Sequence, residues 1–223
     1  MLNKPATTSV KVHDLIQNRW SPRAFDPDID IQHDDLLALL EAARWAPSCF
    51  NDQPWRYIVC VKSKNEASWQ NALAILAEKN QQWAKNAPVL MLAVAMANFN
   101  HNGKPNRWAM YDTGSASLSL CLQATALGLI VHQMGGFDVD KSRDIFNLPE
   151  DCQPMAMLAV GYQSAADSQD DDFKQAELAI RSRMPVDQLF YFDNHYRHYS
   201  HTIHLHWATR QFRQNGSCKK PDC

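Results

Sequence analysis

Four short segments of this chain carry side chains whose types and spacing suit chemistry. Arg19-Trp20-Ser21-Pro22-Arg23 sets two guanidiniums and a hydroxyl within five residues on a proline-constrained turn. Guanidinium forks match phosphate oxygens two at a time, so the segment suits an anion. Pro47-Ser48-Cys49-Phe50-Asn51-Asp52-Gln53-Pro54-Trp55 presents hydroxyl, amide and backbone groups beside aromatic faces. That set suits a planar heterocycle with several donors and acceptors. Met134-Gly135-Gly136-Phe137 lets backbone approach a ligand closely and leaves an N–H to donate to a ring atom. Arg181-Ser182-Arg183 adds two guanidiniums that, joined to Arg19 and Arg23, would neutralise a phosphate monoester. Taken singly, each segment also fits ordinary structure: solvated arginines, a helix stop with a turn, and a tight glycine turn.

Composition narrows the ligand. Only 7 of 223 residues are glycine, less than half of a typical usage of about 7 percent, and no spacing among them makes GxGxxG or GxxxxGK. An anionic cofactor would therefore be held by side chains. The net charge of -2 shows no basic excess for nucleic acid, and no apolar run is long enough to span a membrane. The start MLNKPATTSVKVHDL lacks a secretory pattern, and the six cysteines form no CxxC pair. Reduced thiols and a soluble, cytoplasmic protein are expected.

The elements that must position these residues follow from periodicity. Helices are expected over 9–18, over a stripe comprising Leu36, Leu37, Leu39, Leu40, Ala43 and Trp45 capped by Asp30 or Asp34, and over a long stretch from Asn65 to about Lys85. Further helices are expected over 108–127, ended by Gly128, and over 140–147. Strands are expected at 55–61, 88–96, 129–134 and 155–162, the second and fourth apolar enough to be covered on both faces. Ser164 to Asp172 reads as a solvated acidic loop. One domain is expected over 1–193, followed by a divergent tail over 194–223. In that tail His195, His198, His201, His204 and His206 have no carboxylate or cysteine partner in an obvious pattern. They read as an adventitious metal binder, so no physiological metal site is expected.

The order of the four segments, Arg-x-Ser-x-Arg, Pro-Ser-x-Phe-Asn-x-Gln-Pro-Trp, Met-Gly-Gly-Phe and Arg-Ser-Arg, resembles the FMN-dependent nitroreductase family over about residues 12 to 193. The text LLEAARWAPSCFNDQPWRYIVCV and ALGLIVHQMGGFDVDKSRDIFNLPE resembles it as well. The resemblance implies an α+β fold with a central, mostly antiparallel sheet flanked by helices, in an intertwined homodimer with FMN at the subunit interface. It implies NADH or NADPH as reductant and ping-pong reduction of a nitroaromatic, quinone or related small acceptor. Carried over by position, Arg19, Ser21 and Arg23 would hold the phosphate, ribityl chain and pyrimidine edge, with Arg181 and Arg183 completing the phosphate clamp. Pro47, Ser48 and Cys49 would reach the ring from the partner subunit, and Trp20 and Asn51 would be further cofactor-binding residues. Asn80 would contact the ring, Gly135 would offer its N–H to flavin N5, and Gly136, after Met134, would allow the close approach. Trp20 and Cys49 depart from the residues common in the family: Trp20 would pack, and Cys49 reads as a buried inert thiol. A flavin-binding protein without turnover, a flavin-fragmenting or dehalogenating relative, and a non-flavin interaction domain remain as alternatives.

Overall fold

The structure, a computed structural model, describes residues 2–190, in two compact units that divide after Arg181. The His-rich tail lies outside the described residues. The first unit is built on a four-stranded sheet of order β1-β2-β4-β3, with β1 Trp55–Val61, β2 Val89–Met96, β3 Ile130–Met134 and β4 Cys152–Gly161. Every pairing in it is antiparallel. Trp55 lies opposite Ala95, Val89 opposite Val160, and Met134 opposite Met157, with one irregularity at Ala93/Val94.

The central strand β2 is buried at every residue but Met96, which explains its lack of polar alternation. Its side chains still alternate in destination. Leu90, Leu92 and Val94 enter a core with Phe25, Trp69, Trp83 and Met157, while Val89, Met91 and Ala93 enter a second core with Leu36, Leu39, Leu120 and Leu158. Two helices cover the second face: α2 His33–Arg44, through Leu36, Leu39 and Ala43, and α5 Ala109–Ala126, through Ala116, Leu120 and Ala124. The small residues of α5 bring that helix close to its neighbours, and Gly128, at φ +74°, turns the chain into β3. Leu37 and Trp45, expected within the α2 stripe, are exposed. Neither expected aspartate caps α2; Gln32 stands at its N-cap without a side-chain bond.

The long helix expected from Asn65 is two helices, α3 Glu66–Ala74 and α4 Glu78–Ala84. Asn65 does cap α3, accepting the Ser68 N–H. The break arises because Leu76 pairs with Phe137, Asp138 N–H donates to Ile75 O, and Ala77 N–H donates to Gly136 O. Those tertiary bonds replace the intrahelical ones that a continuous helix would make. Three further helices differ from expectation: α1 Asp14–Asn18 is shorter than the 9–18 expected, α6 Val139–Phe146 lies one residue before the 140–147 expected, and α7 Asp171–Leu178 was not expected. The last starts within the stretch expected as an acidic loop, which also holds a short 3-10 turn at Ala166–Ser168, and it buries Phe173 and Glu177.

Candidate functional site

The segment Arg19–Arg23 leaves α1 as an extended arm and then joins the sheet. Asp26 N–H donates to Tyr162 O, Ser164 N–H donates to Ala24 O, and Phe25 bridges to Gln163, so residues 24–26 continue the ladder beyond β4. Within the arm, Arg19 Nη1 donates to Ser21 Oγ at 3.3 Å. Lys4 Nζ lies 4.3 Å from the centroid of the Trp20 ring. The Arg23 N–H donates to Glu177 Oε1 at 2.5 Å. Burial raises the Glu177 carboxyl above its ordinary range, and the Arg23 N–H opposes the shift.

His132 on β3 ties this arm to the glycine segment. Its Nδ1 lies 2.9 Å from Pro22 O and its ring sits 4.6 Å from that of Trp83. A carbonyl can only accept, so Nδ1 carries a proton in this bond. Burial pulls its pKa down to about 4, with Arg23 and Arg19 adding to the effect and the carbonyls of Pro22 and Ser21 opposing it.

Beyond His132 on the same strand, Met134 is buried, and Gly135 and Gly136 after it are exposed. Nothing lies within 4 Å of where a Cβ on Gly135 would stand, whereas one on Gly136 would meet Asn80 Nδ2 at 2.9 Å. Asn80 Nδ2 donates to Gly136 O at 3.1 Å. The amide is thereby oriented, and the expected reason for Gly136 changes: its missing Cβ makes room for Asn80, while the open space belongs to Gly135. Arg19, Ser21, Arg23, Asn80, Met134, Gly135 and Gly136 thus form one linked neighbourhood.

Pro47, Ser48, Cys49 and Asn51 belong to another. The Cys49 N–H donates to Asp112 Oδ2 on α5 at 3.0 Å. Ser48 Oγ accepts from Gln53 N–H, and Asn51 N–H donates to Ser48 O. Phe50, Asn51 and Gln53 all have left-handed φ, between 52° and 55°. Asp52 Oδ1 accepts the Asn100 N–H at 2.9 Å, which fixes the 98–106 loop against this turn, where Phe50, Phe99 and His101 cluster. Cys49 is half-buried rather than buried.

Arg181 Nη1 donates to Lys4 O and Gln17 O, and Nη2 to Arg19 O. Arg183, in the second unit, is exposed and donates to Ser182 O. His132, Glu177 and Asp112 were not singled out by the sequence. Nothing in their local spacing marks them, because each acts on backbone far away in the chain.

The Nitroreductase family model matches residues 16–162, about two thirds of the chain. This chain belongs to the nitroreductase family. Protein DrgA of Synechocystis sp. is 32% identical over 173 residues, covering 66% of this chain and 82% of that protein. The major NAD(P)H-flavin oxidoreductase of Aliivibrio fischeri is 34% identical over a shorter stretch of 74 residues, 33% of this chain and 34% of its own length. Among solved structures, an oxidoreductase containing FMN superposes with a TM-score of 0.80 at 32% identity, covering 87% of this chain and 98% of that one. The nitroreductase fold is accordingly the fold seen here, a helix-flanked antiparallel sheet. No helix among the described residues is long and apolar enough to cross a membrane.

Proposed function

We propose that this chain is an FMN-dependent oxidoreductase that uses NADH or NADPH to reduce a flat small-molecule acceptor, such as a nitroaromatic or a quinone, by ping-pong turnover. The observation that carries the reading is the seam at Gly135, Gly136 and Asn80. It offers open space at Gly135 beside an oriented amide, and it is tied through His132 to an arm bearing Arg19, Ser21 and Arg23. These donors fit FMN: guanidiniums and a hydroxyl for phosphate and ribityl oxygens, and an amide and an N–H for the ring edge. When bound, FMN supplies the hydride chemistry, which is why no nucleophile or base triad is required of the protein.

The chain's own residues bind and orient. Arg19, Ser21 and Arg23 hold the phosphate, ribityl chain and pyrimidine edge, and the charge on Arg23 favours electron density at that edge. Asn80, with Nδ2 engaged by Gly136 O, keeps its Oδ1 to accept from a donor on the ring. Pro47, Ser48, Cys49 and Asn51 complete the ring site from a second copy, in a homodimer. Exposed Trp45, Phe50, Tyr111 and Leu118 are apolar surfaces that such a partner would cover.

The test is the visible spectrum of the purified protein, followed by addition of each nicotinamide. Flavin absorption that bleaches with NADH or NADPH and returns on adding a quinone supports the reading. Colourless protein that takes up no FMN would sink it, and a monomeric mass by light scattering would remove the shared site.

A further inference from the structure

The arm that bears Arg19, Ser21 and Arg23 is gripped from behind by two side chains near the end of the first unit. Glu177 is fully buried on α7, and its Oε1 accepts the Arg23 N–H at 2.5 Å. Its other oxygen, Oε2, is buried without a hydrogen bond of good geometry among the described residues, and the Ala24 backbone N–H is the further donor that favours the charged form. Lys4 Nζ donates to the Glu177 carbonyl, so the cations facing this carboxylate are Lys4 and Arg23. Four residues further on, the Arg181 guanidinium spans the carbonyls of Lys4, Gln17 and Arg19 at 2.7, 2.8 and 2.9 Å.

A carboxylate behind a phosphate site is electrostatically costly. It is desolvated, and its charge reduces the cationic potential that would attract a phosphate. Its place is explained by the backbone it holds. The arm has no helix or strand of its own until residue 24, so the directions of Arg19 and Arg23 depend on what fixes the Arg19 carbonyl and the Arg23 N–H. Glu177 holds one end and Arg181 the other.

We infer that Glu177 and Arg181 are positioning residues that clamp the two ends of the phosphate-binding arm, and that Arg181 acts on the phosphate through that backbone rather than as its direct ligand. This rests on the FMN reading above. A fork reaching three carbonyls cannot be reproduced by a single ammonium, whereas a direct charge contact to phosphate can. The neutral acceptor of Gln serves the Arg23 N–H nearly as well as a carboxylate does, whereas Leu offers none.

The experiment measures dissociation constants for FMN and for riboflavin, which lacks the phosphate, in full-length wild type and in Glu177→Gln, Glu177→Leu and Arg181→Lys, with thermal unfolding as a control. Losing a hydrogen bond to a charged group should weaken FMN by about tenfold or more in Glu177→Leu and Arg181→Lys. Riboflavin affinity should stay near wild type in both, and Glu177→Gln should retain FMN. If Glu177→Leu does not fold, Arg181→Lys carries the test alone. FMN affinity preserved in Arg181→Lys overturns the inference, as does an equal loss of FMN and riboflavin. Wild type that binds neither flavin overturns the underlying reading instead.

Discussion

The arm at Arg19–Arg23 and the turn at Pro47–Gln53 are both proposed to face one ligand, yet they are built in opposite ways. The turn is largely self-made. Ser48 Oγ accepts from Gln53, the Ser48 and Cys49 carbonyls accept from Asn51 and Asp52, and three residues adopt left-handed φ to close it. The arm has its Arg19–Ser21 bond inside it, but its backbone is held by His132, Glu177 and Arg181, each more than a hundred residues away. A self-made turn keeps its shape with little help. An arm held from outside keeps its shape only while the core behind it is intact, so its geometry is coupled to global stability.

The largest expected effect breaks that coupling by acid. His132 has a folded pKa of about 4 against an ordinary 6.5, so the unfolded chain takes up the proton first as pH falls. The stability this ring protects is fully present above about pH 6.5 and disappears toward pH 4, amounting to about 3 kcal/mol over the window. Urea titrations at several pH values should show wild type losing that much more than His132→Gln between those limits. Parallel curves would remove His132 as the acid-sensitive brace.

Arg23→Ala separates ligand contact from bracing, since the backbone N–H that meets Glu177 survives the substitution. FMN should bind about tenfold to a hundredfold more weakly, with unfolding nearly unchanged; undiminished flavin occupancy after purification would count against the assigned role. Asp112→Ala probes the other region by stripping the Cys49 N–H of its acceptor, at about 1–2 kcal/mol in chemical denaturation. Because the turn is assigned to the ring and not the phosphate, FMN and riboflavin should weaken alike in this variant. The smallest effect contrasts adjacent glycines. Gly136→Ala drives a Cβ against Asn80 and should cost about 1 kcal/mol or more by overpacking, while Gly135→Ala should leave the melting temperature in place and lower flavin affinity. Equal melting shifts in the two would erase the distinction between them.

The same contrast explains what could be read from the sequence. The strand at Trp55–Val61 was legible residue for residue and β2 to within one, because β-branched and apolar runs report burial locally. The turn was marked by its Pro, Ser, Asn and Gln residues. The arm's chemistry was visible in Arg19, Ser21 and Arg23, but its support was not, since a buried Glu177 within Asp-Asp-Phe-Lys-Gln-Ala-Glu-Leu reads as one more polar helix position. The break between α3 and α4 escaped for a similar reason. Its cause is hydrogen bonding to residues 136–138, and the intervening Leu76-Ala77 favours helix on local grounds.

That break has a consequence for descent. Asn80, Ala77 and Gly136 meet at one seam, where a Cβ on Gly136 would touch both of the others. A lineage that enlarged residue 136 would have to give up the amide at 80 or move the start of α4, and one that enlarged residue 77 would press on the same spot from the opposite side. Among relatives of this chain, the three positions should therefore change together or not at all.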